Sequence, residues 1–275
     1  MLRSGLRLRE MEGLVTSRLL RTAILTAMAV SALSGVGQAQ SAASGPADLP
    51  EWAGYYVRAL GADLDGLRPP LTIEALRQLA IDHLKPWAFA KMEATDFVAN
   101  DAGQICLPTG PFKYWFAVGQ FLFLPGPEKI VMPYLNVPPA GVRRVYLNRE
   151  HPRNLRPTWN GDSVGHWDGE TLVVDTTGFN DKSWLVKVEP HTEELRMIER
   201  YRRVKGGSIL EVDITLMDRE ALTSAFNFVL YFKKGNLKDR PNGQLVNVCN
   251  EDPELWRGFM DAHLQPLLER SREVR

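Results

Sequence analysis

Residues 163–176 read SVGHWDGETLVVDT, and this stretch decides the fold class. Asp168-Gly169 stands between two runs that have the composition of β-strands, and Asp-Gly in that setting is the strongest short signal for a β-hairpin. With these two residues as the turn, the register places Asp175 opposite Asp162 rather than opposite a histidine. The stretch therefore predicts two antiparallel strands and the beginning of a sheet.

Strand patterns continue on both sides of this hairpin, and short turns join many of them. Sequential strands without intervening helices indicate an antiparallel meander, and eight or more strands favour closure because a closed sheet has no exposed edge. We predict a mainly β fold in which the meander closes into a lipocalin-like barrel. The predicted strands span 114–124, 129–135, 143–147, 163–167, 171–176, 195–204, 209–217, 226–233 and 244–249.

Helical patterns lie at the two ends of the strand region. Thr72 can cap a helix that Pro86 stops, and Asp252-Pro253 is a typical helix start. Together these features predict an N-terminal helix and a C-terminal helix around the barrel. The predicted organisation is a signal peptide over 1–39, a linker over 40–50, an N-terminal helical and extended segment over 51–104, the barrel domain over 105–251 and the C-terminal helix over 252–275.

The first 39 residues have the pattern of an export signal. Arg18 and Arg21 precede an apolar run that ends in small residues at Ala39, where we expect cleavage. The run is shorter than the roughly 20 residues that a membrane-spanning helix needs. The sequence thus predicts a periplasmic or secreted protein with no membrane span after leader removal; whether it starts at Met1 or Met11 stays open.

The charge balance argues against a nucleic acid partner. The chain has 33 basic and 33 acidic residues, and the leader contains five Arg and two Glu. The mature chain then has 28 basic and 31 acidic residues, a net charge of −3. Nucleic acid binding needs a positive surface that neutralises phosphates, so we predict none. The sequence does not indicate an oligomeric state.

The run over 158–180, TWNGDSVGHWDGETLVVDTTGFN, resembles a large family of uncharacterised exported bacterial proteins. The Cys106-Leu107-Pro108 loop, the run 190–193, the run 199–202 and Val248-Cys249 also match. The resemblance implies an extracytoplasmic β-rich domain similar to lipocalin-like barrels, and it implies no particular activity. Asp162 departs from the family pattern, which has a histidine or another polar residue there.

Two histidines are candidates for acid-base chemistry. His166 precedes the hairpin turn, and Asp175 is its candidate partner, although the expected register weakens a direct contact. His191 lies in a turn beside Glu193 and Glu194, which can raise its pKa towards neutrality. The alternatives are structural: a half-exposed His166 stacked on tryptophan, and a His191 that anchors a loop.

Glu199 and Tyr201 occupy the same face of a predicted strand as apolar residues. Such a strand either lines a cavity with polar groups or buries an ion pair with an arginine across the sheet, and we favour the ion pair. The chain has no HxH or HExxH spacing, no GxSxG, no GxGxxG and no Walker loop. We therefore predict no metal site and no cofactor.

Three function classes fit these observations. In the first, the barrel binds a hydrophobic, aromatic small molecule in a tryptophan-lined cavity; its candidate lining residues are Trp159, Trp167, Trp184, Phe179 and Arg200. In the second, a cofactor-independent lyase, isomerase or hydrolase uses the same cavity, with His166, His191, Glu199, Asp175 and Tyr201 as candidate catalytic residues and Arg200 as a further anion-stabilising group. The third is an envelope interaction domain, which would display an exposed apolar patch.

Cys106 and Cys249 form an even pair in a protein that the leader directs to an oxidising compartment, which predicts a disulfide. We expect Cys249→Ser to lower the free energy of unfolding by about 2–5 kcal/mol. Thiol titration of the denatured, unreduced protein checks the bond. No reactive thiol is expected, and two per chain would show that the prediction is wrong.

Overall fold

The computed structural model describes residues 49–105, 107–117, 119–135, 141–236 and 238. Within these ranges nine strands form one closed barrel, in which each strand pairs with its neighbours in the chain and the first pairs with the last. The predicted mainly β barrel is confirmed. The strands are β1 Gly54–Arg58, β2 Phe121–Pro125, β3 Lys129–Pro133, β4 Val142–Leu147, β5 Asp162–Asp168, β6 Thr171–Thr177, β7 Arg196–Val204, β8 Ile209–Met217 and β9 Phe226–Lys234.

Short helices precede or interrupt the strand series. They are α1 Leu49–Trp52, α2 Ile73–Asp82, α3 Pro86–Glu93, α4 Phe97–Asn100 and α5 Gly110–Ala117. The Thr72 side chain accepts a hydrogen bond from the Ala75 N–H, so the expected N-cap of α2 is confirmed. The helix ends at Asp82, four residues before Pro86, and Pro86 instead begins α3, because proline is well accommodated in the first turn of a helix.

Alternation along the strands separates the barrel interior from its outer face. In β8 the side chains of Leu210, Val212, Ile214 and Leu216 point inward and are buried. Inward residues of the other strands join them in one hydrophobic cluster. A smaller cluster lies outside, where Val229 and Tyr231 pack with Ala59 and Ile209. The strand periodicity of two therefore fixes which side chains can share the interior.

One strand pair departs from the predicted antiparallel meander. β4 and β5 are parallel, with Val145 opposite Ser163 and Leu147 opposite Gly165. A parallel pair needs a connection that returns along the full length of a strand, and residues 148–161 supply it. The strand patterns were visible in the sequence, but the direction of β5 depends on the path of this connection.

The hairpin forms one residue later than predicted. Asp168 pairs with Thr171, so the turn residues are Gly169 and Glu170 rather than Asp168 and Gly169. Gly169 has φ +58°, a value that glycine adopts at little cost. As a result Asp162 faces Thr177 rather than Asp175.

The predicted strand over 114–124 is wrong in its first half. Residues Gly110–Ala117 form α5, and β2 begins only at Phe121. Gly110-Pro111 at the start and Gly119 after the end, with φ +74° and +55° at the two glycines, bound this helix. The apolar content of the segment favours either type of element, and these bounding residues decide for the helix.

The barrel does not begin at residue 105. β1 lies in the segment 51–104 and pairs with both β2 and β9, so this segment supplies a strand that closes the barrel. The predicted strand over 244–249, the C-terminal helix over 252–275, the leader, and Cys106 and Cys249 all lie outside the described residues. Among the helices that the structure does describe, none has the length and apolar character needed to cross a membrane.

Gly161 immediately precedes β5 and has φ +65°, and a Cβ there would lie 2.7 Å from the Thr177 carbonyl oxygen. Gly169 also has positive φ, but nothing lies within 4 Å of the position that a Cβ would occupy there. We expect Gly161→Ala to lower the free energy of unfolding by at least about 1 kcal/mol more than Gly169→Ala. Urea denaturation of both variants measures the difference; equal losses would mean that the carbonyl contact is unimportant.

Candidate functional site

A buried ion pair lies inside the barrel. Arg143 of β4 and Glu199 of β7 have side chains that are 1% and 0% exposed. The guanidinium donates through Nη1 to Glu199 Oε1 at 2.8 Å and through Nη2 to Oε2, a bidentate arrangement. The prediction that Glu199 pairs with an arginine across the sheet is confirmed.

Two hydroxyl side chains complete the contacts of Arg143. Its Nε donates to Ser163 Oγ at 3.1 Å, and its Nη2 donates to Thr176 Oγ1 at 2.8 Å. Ser163 belongs to β5 and Thr176 to β6, so one guanidinium joins four consecutive strands. The sequence carried a signal for Arg143, because it shares its strand face with Val145 and Leu147, but we did not single it out.

The ion pair also fixes the protonation states of its neighbours. Burial, the largest single effect, lowers the pKa of Arg143, but the charge and hydrogen bond of Glu199 together with Tyr134 and Tyr201 hold that pKa well above its ordinary value. Tyr201 donates its hydroxyl to Glu199 Oε1 at 2.9 Å. Burial, followed by the adjacent Glu199 charge, raises the pKa of Tyr201 well above its ordinary value. At neutral pH Tyr201 is therefore a neutral hydrogen-bond donor.

Aromatic side chains fill the interior next to these polar groups. The centre of this aromatic cluster is Trp115, which α5 inserts among side chains of the strands. Its ring centroid lies 5.3 Å from Phe121, 5.7 Å from Tyr134, 6.3 Å from Tyr201 and 5.4 Å from Phe232. The rings of Phe121 and Tyr134 stand at 89° and 90° to the indole. Such edge-to-face contacts are favourable between aromatic rings.

Trp115 is only 1% exposed. Its indole N–H is therefore shielded from water, and it has no hydrogen-bond acceptor among the described residues. A buried polar group without a partner costs about 1–3 kcal/mol. Most buried indole N–H groups find an acceptor. An acceptor atom placed next to this N–H inside the barrel would therefore be stabilised.

His191 is buried at the end of the barrel where β6 finishes and β7 begins. Its Nε2 lies 2.8 Å from Ser183 Oγ, and its Nδ1 lies 3.0 Å from the Thr192 carbonyl oxygen. Because a carbonyl can only accept, Nδ1 carries the proton, and Nε2 accepts from the Ser183 hydroxyl. Burial lowers the pKa of His191, so the expected increase caused by Glu193 or Glu194 is wrong.

His191 is in the tautomer in which Nε2 can accept the proton of a serine nucleophile, here Ser183. No motif in the sequence indicated Ser183. Its surroundings are closed: Ser183 is 4% exposed and His191 1%. A Cβ on Gly110 would lie only 3.1 Å from Ser183 Oγ, so α5 packs directly against the hydroxyl. In this arrangement the pair anchors the loop after β6, which is the structural alternative for His191.

His166, Asp175 and Arg200 lie on the outer face of the barrel, away from Glu199 and Tyr201. His166 is exposed and faces Val173, which in turn faces Arg200. Asp175 accepts from Arg196 Nε at 2.8 Å and faces Val164, not His166. The candidate contact between His166 and Asp175, which the expected register already weakened, does not form, because Val173 rather than Asp175 stands opposite His166.

A histidine that the sequence analysis missed is hydrogen-bonded to one carboxylate and lies near a second. His151 lies in the 148–161 connection, with Nδ1 2.9 Å from Asp162 Oδ1 and Nε2 3.8 Å from Asp175 Oδ2. Arg149 contacts the same Asp162 carboxylate, and its guanidinium stacks 4.1 Å from the Tyr146 ring centroid. These outer contacts hold the parallel connection against β5 and β6. No motif in the sequence indicated them.

The four aromatic residues predicted to line a ligand cavity do not share one site. Trp167 packs against Trp52 at 5.0 Å near the β5–β6 turn. Phe179 lies beyond the opposite end of that hairpin, 5.1 Å from Phe112, while Trp184 contacts Phe97 at 5.7 Å. Trp159 is only partly buried. The prediction correctly emphasised buried aromatic side chains but selected residues from different ends of the barrel.

Within the described ranges, no group of three or more histidine, cysteine, aspartate or glutamate side chains is arranged to hold a metal ion. No family model, no curated protein and no solved structure matches this chain.

Removal of one charge of the interior pair should leave the other buried without a partner. We expect Arg143→Met and Glu199→Gln each to lower the free energy of unfolding by about 3–5 kcal/mol. The double variant should lose clearly less than the sum, since it buries no unpaired charge, and a glutamine at position 199 still offers Tyr201 an acceptor. Denaturant melts of the three variants measure this coupling.

Arg200→Met is the matched control, because Arg200 neighbours Glu199 on the same strand but is exposed. Its effect should stay within about 0.5 kcal/mol. Strictly additive losses for Arg143→Met and Glu199→Gln would contradict a direct interaction between the two side chains.

Proposed function

We propose that this barrel binds a hydrophobic, aromatic small molecule in its interior, beside Trp115. The observation that carries the proposal is the buried indole N–H without an acceptor among the described residues, placed within a cluster of aromatic rings. Ligand sites for small molecules combine mainly apolar walls with a few polar groups that fix orientation. The surroundings of Trp115 have this composition.

The interior supports the binding of a flat ring more than that of an aliphatic chain. Phe121 and Tyr134 stand edge-to-face with the Trp115 indole, and Tyr201 and Phe232 are tilted to it at 57° and 53°. An additional aromatic ring would add contacts of the same kinds. Each such contact contributes about 0.5–1.5 kcal/mol beyond the burial of apolar surface.

Helix α5 is the element that would adjust to a ligand. The strands are fixed by two ladders of backbone hydrogen bonds each, whereas Trp115 enters the interior from a helix. The Trp115 carbonyl accepts from Arg58 Nη1 at 2.9 Å, and the Arg58 guanidinium lies 5.7 Å from the Phe232 ring centroid. A small shift of α5 would make room for a ring without breaking a strand pair.

The catalytic alternative receives less support from the same structure. Its candidate acid-base residues are divided among the outer face, the closed Ser183 and His191 pair, and the Arg143 and Glu199 ion pair. General acid-base catalysis requires the participating groups to reach one substrate. A binding barrel needs no such convergence.

The proposal includes a location outside the cytoplasm and membership of the exported family that the run over 158–180 resembles. The motivation is the leader pattern over 1–39 and the resemblance of the motif itself. A carrier that takes up aromatic compounds in the periplasm or the medium fits both features.

Binding of a panel of one- and two-ring aromatic compounds tests the proposal. At a concentration of 100 times the Kd, a bound compound should stabilise the protein by about 2.7 kcal/mol and raise its melting temperature. The same compound should quench tryptophan emission. In Trp115→Phe most of this quenching should disappear.

Trp87→Phe serves as the control, because Trp87 is 44% exposed and its Nε1 donates to the Glu220 carbonyl outside the barrel. Quenching should persist in this variant. If no compound changes the emission or the melting temperature of the unmodified protein, the binding function is wrong.

A further inference from the structure

We infer that the ligand is an uncharged aromatic compound with a carbonyl-type oxygen, and that this oxygen accepts a hydrogen bond from Trp115 Nε1. The inference rests on the proposed binding function and specifies the chemistry of its ligand. Its basis is the set of donors, acceptors and charges that surround the indole.

Trp115 can only donate, because the indole N–H has no acceptor capacity. Among the described residues no oxygen or nitrogen accepts from it, and its side chain is buried. The perpendicular rings of Phe121 and Tyr134 offer at most their π faces, which accept hydrogen bonds weakly. A ligand oxygen is a stronger acceptor, so a ligand that brings one gains a bond that the protein alone does not make.

A ligand that brings a donor instead finds the acceptors of the interior polar group largely occupied. The two Glu199 oxygens already accept from Arg143, and Oε1 also accepts from Tyr201. Ser163 and Thr176 bond to each other and to Arg143. The orphan donor of Trp115 therefore selects for an acceptor on the ligand.

The charges of the interior favour an uncharged compound. Arg143 and Glu199 neutralise each other in a bidentate pair, and the Arg143 donors described above are committed to Glu199, Ser163 and Thr176. A carboxylate ligand would lose its hydration without gaining a free cation in this group. A ketone, aldehyde or quinone oxygen does not incur this loss.

Three naphthalene derivatives test the inference on the full-length protein. 2-Acetylnaphthalene carries the acceptor, 2-isopropenylnaphthalene has nearly the same shape without an oxygen, and 2-naphthoate carries a charge. Equilibrium dialysis gives the dissociation constant of each compound with the unmodified protein and with Trp115→Phe. The phenylalanine variant keeps an aromatic ring but lacks the N–H.

The decisive quantity is the ratio of the dissociation constants of the two neutral compounds. Loss of the indole N–H leaves the acetyl oxygen buried without a donor, so Trp115→Phe should shift this ratio about 10-fold against 2-acetylnaphthalene. Any general change in the packing of the interior affects both neutral compounds and cancels from the ratio. 2-Naphthoate should bind more weakly than 2-acetylnaphthalene to the unmodified protein.

The outcomes separate the inference from the function on which it rests. If both neutral compounds bind and their ratio is the same in the two proteins, the acceptor inference is overturned while aromatic binding stands. If 2-naphthoate binds tightest, the inference of an uncharged ligand is overturned. If none of the three binds to the unmodified protein, the binding function itself fails.

A spectroscopic measurement replaces the variant if Trp115→Phe does not fold. In the unmodified protein labelled with ¹⁵N-tryptophan, 2-acetylnaphthalene should move one indole ¹H resonance downfield, as expected for a new N–H to oxygen bond. 2-Isopropenylnaphthalene should not produce this shift. Equal responses to the two compounds would overturn the inference.

Discussion

The bidentate pair between Arg143 and Glu199 is the interaction on which the rest of the barrel depends. Arg143 lies on β4, just before the parallel seam between β4 and β5, where the chain reverses the expected strand direction. Its guanidinium contacts β5 through Ser163, β6 through Thr176 and β7 through Glu199. Desolvation of two ions is costly, and an apolar replacement of similar volume is often no less stable. What the pair adds is a set of directional bonds that one strand register satisfies. A shift by one residue would turn Glu199 outward and leave Arg143 buried alone.

The polar residues of the barrel form two groups, one in the interior around Arg143 and one on the outer face. The interior group around Arg143 is satisfied and electrically neutral, and it lies beside the aromatic cluster centred on Trp115. The outer group consists of Arg149, His151, Asp162 and Asp175, which attach the 148–161 connection to the wall of the barrel. Because a strand directs alternate side chains to opposite faces, residues that are neighbours in sequence, such as Glu199 and Arg200, belong to different environments. An abundance of histidine, aspartate and tryptophan in one stretch therefore does not imply that these side chains meet.

The sequence was sufficient for what depends on local pattern. Alternation in 209–217 gave the bounds of β8, Thr72 gave the start of α2, and Glu199 among apolar neighbours gave the buried ion pair. The sequence was insufficient where the outcome depends on chain path or on a single bond. The parallel seam follows from the route of residues 148–161, and the hairpin register from the one-residue displacement of its turn. The composition of residues 110–119 suits a strand, but Gly110 and Gly119 bound a helix there. His151 and Ser183 find their partners only through these tertiary arrangements.

The position of Trp115 on a helix bears on the proposal that a filled interior binds a ligand. Well-packed cores resist insertion because their side chains are held in place by regular backbone. In this barrel the inward residues of the strands belong to the paired sheet, whereas the central indole belongs to α5, which takes no part in strand pairing. The unsatisfied N–H makes the same residue less stable in its own site than an indole with an acceptor would be. A ring with a suitable oxygen would relieve that cost while it adds apolar contacts. The residue with the unsatisfied N–H is thus the one that would gain most from a ligand.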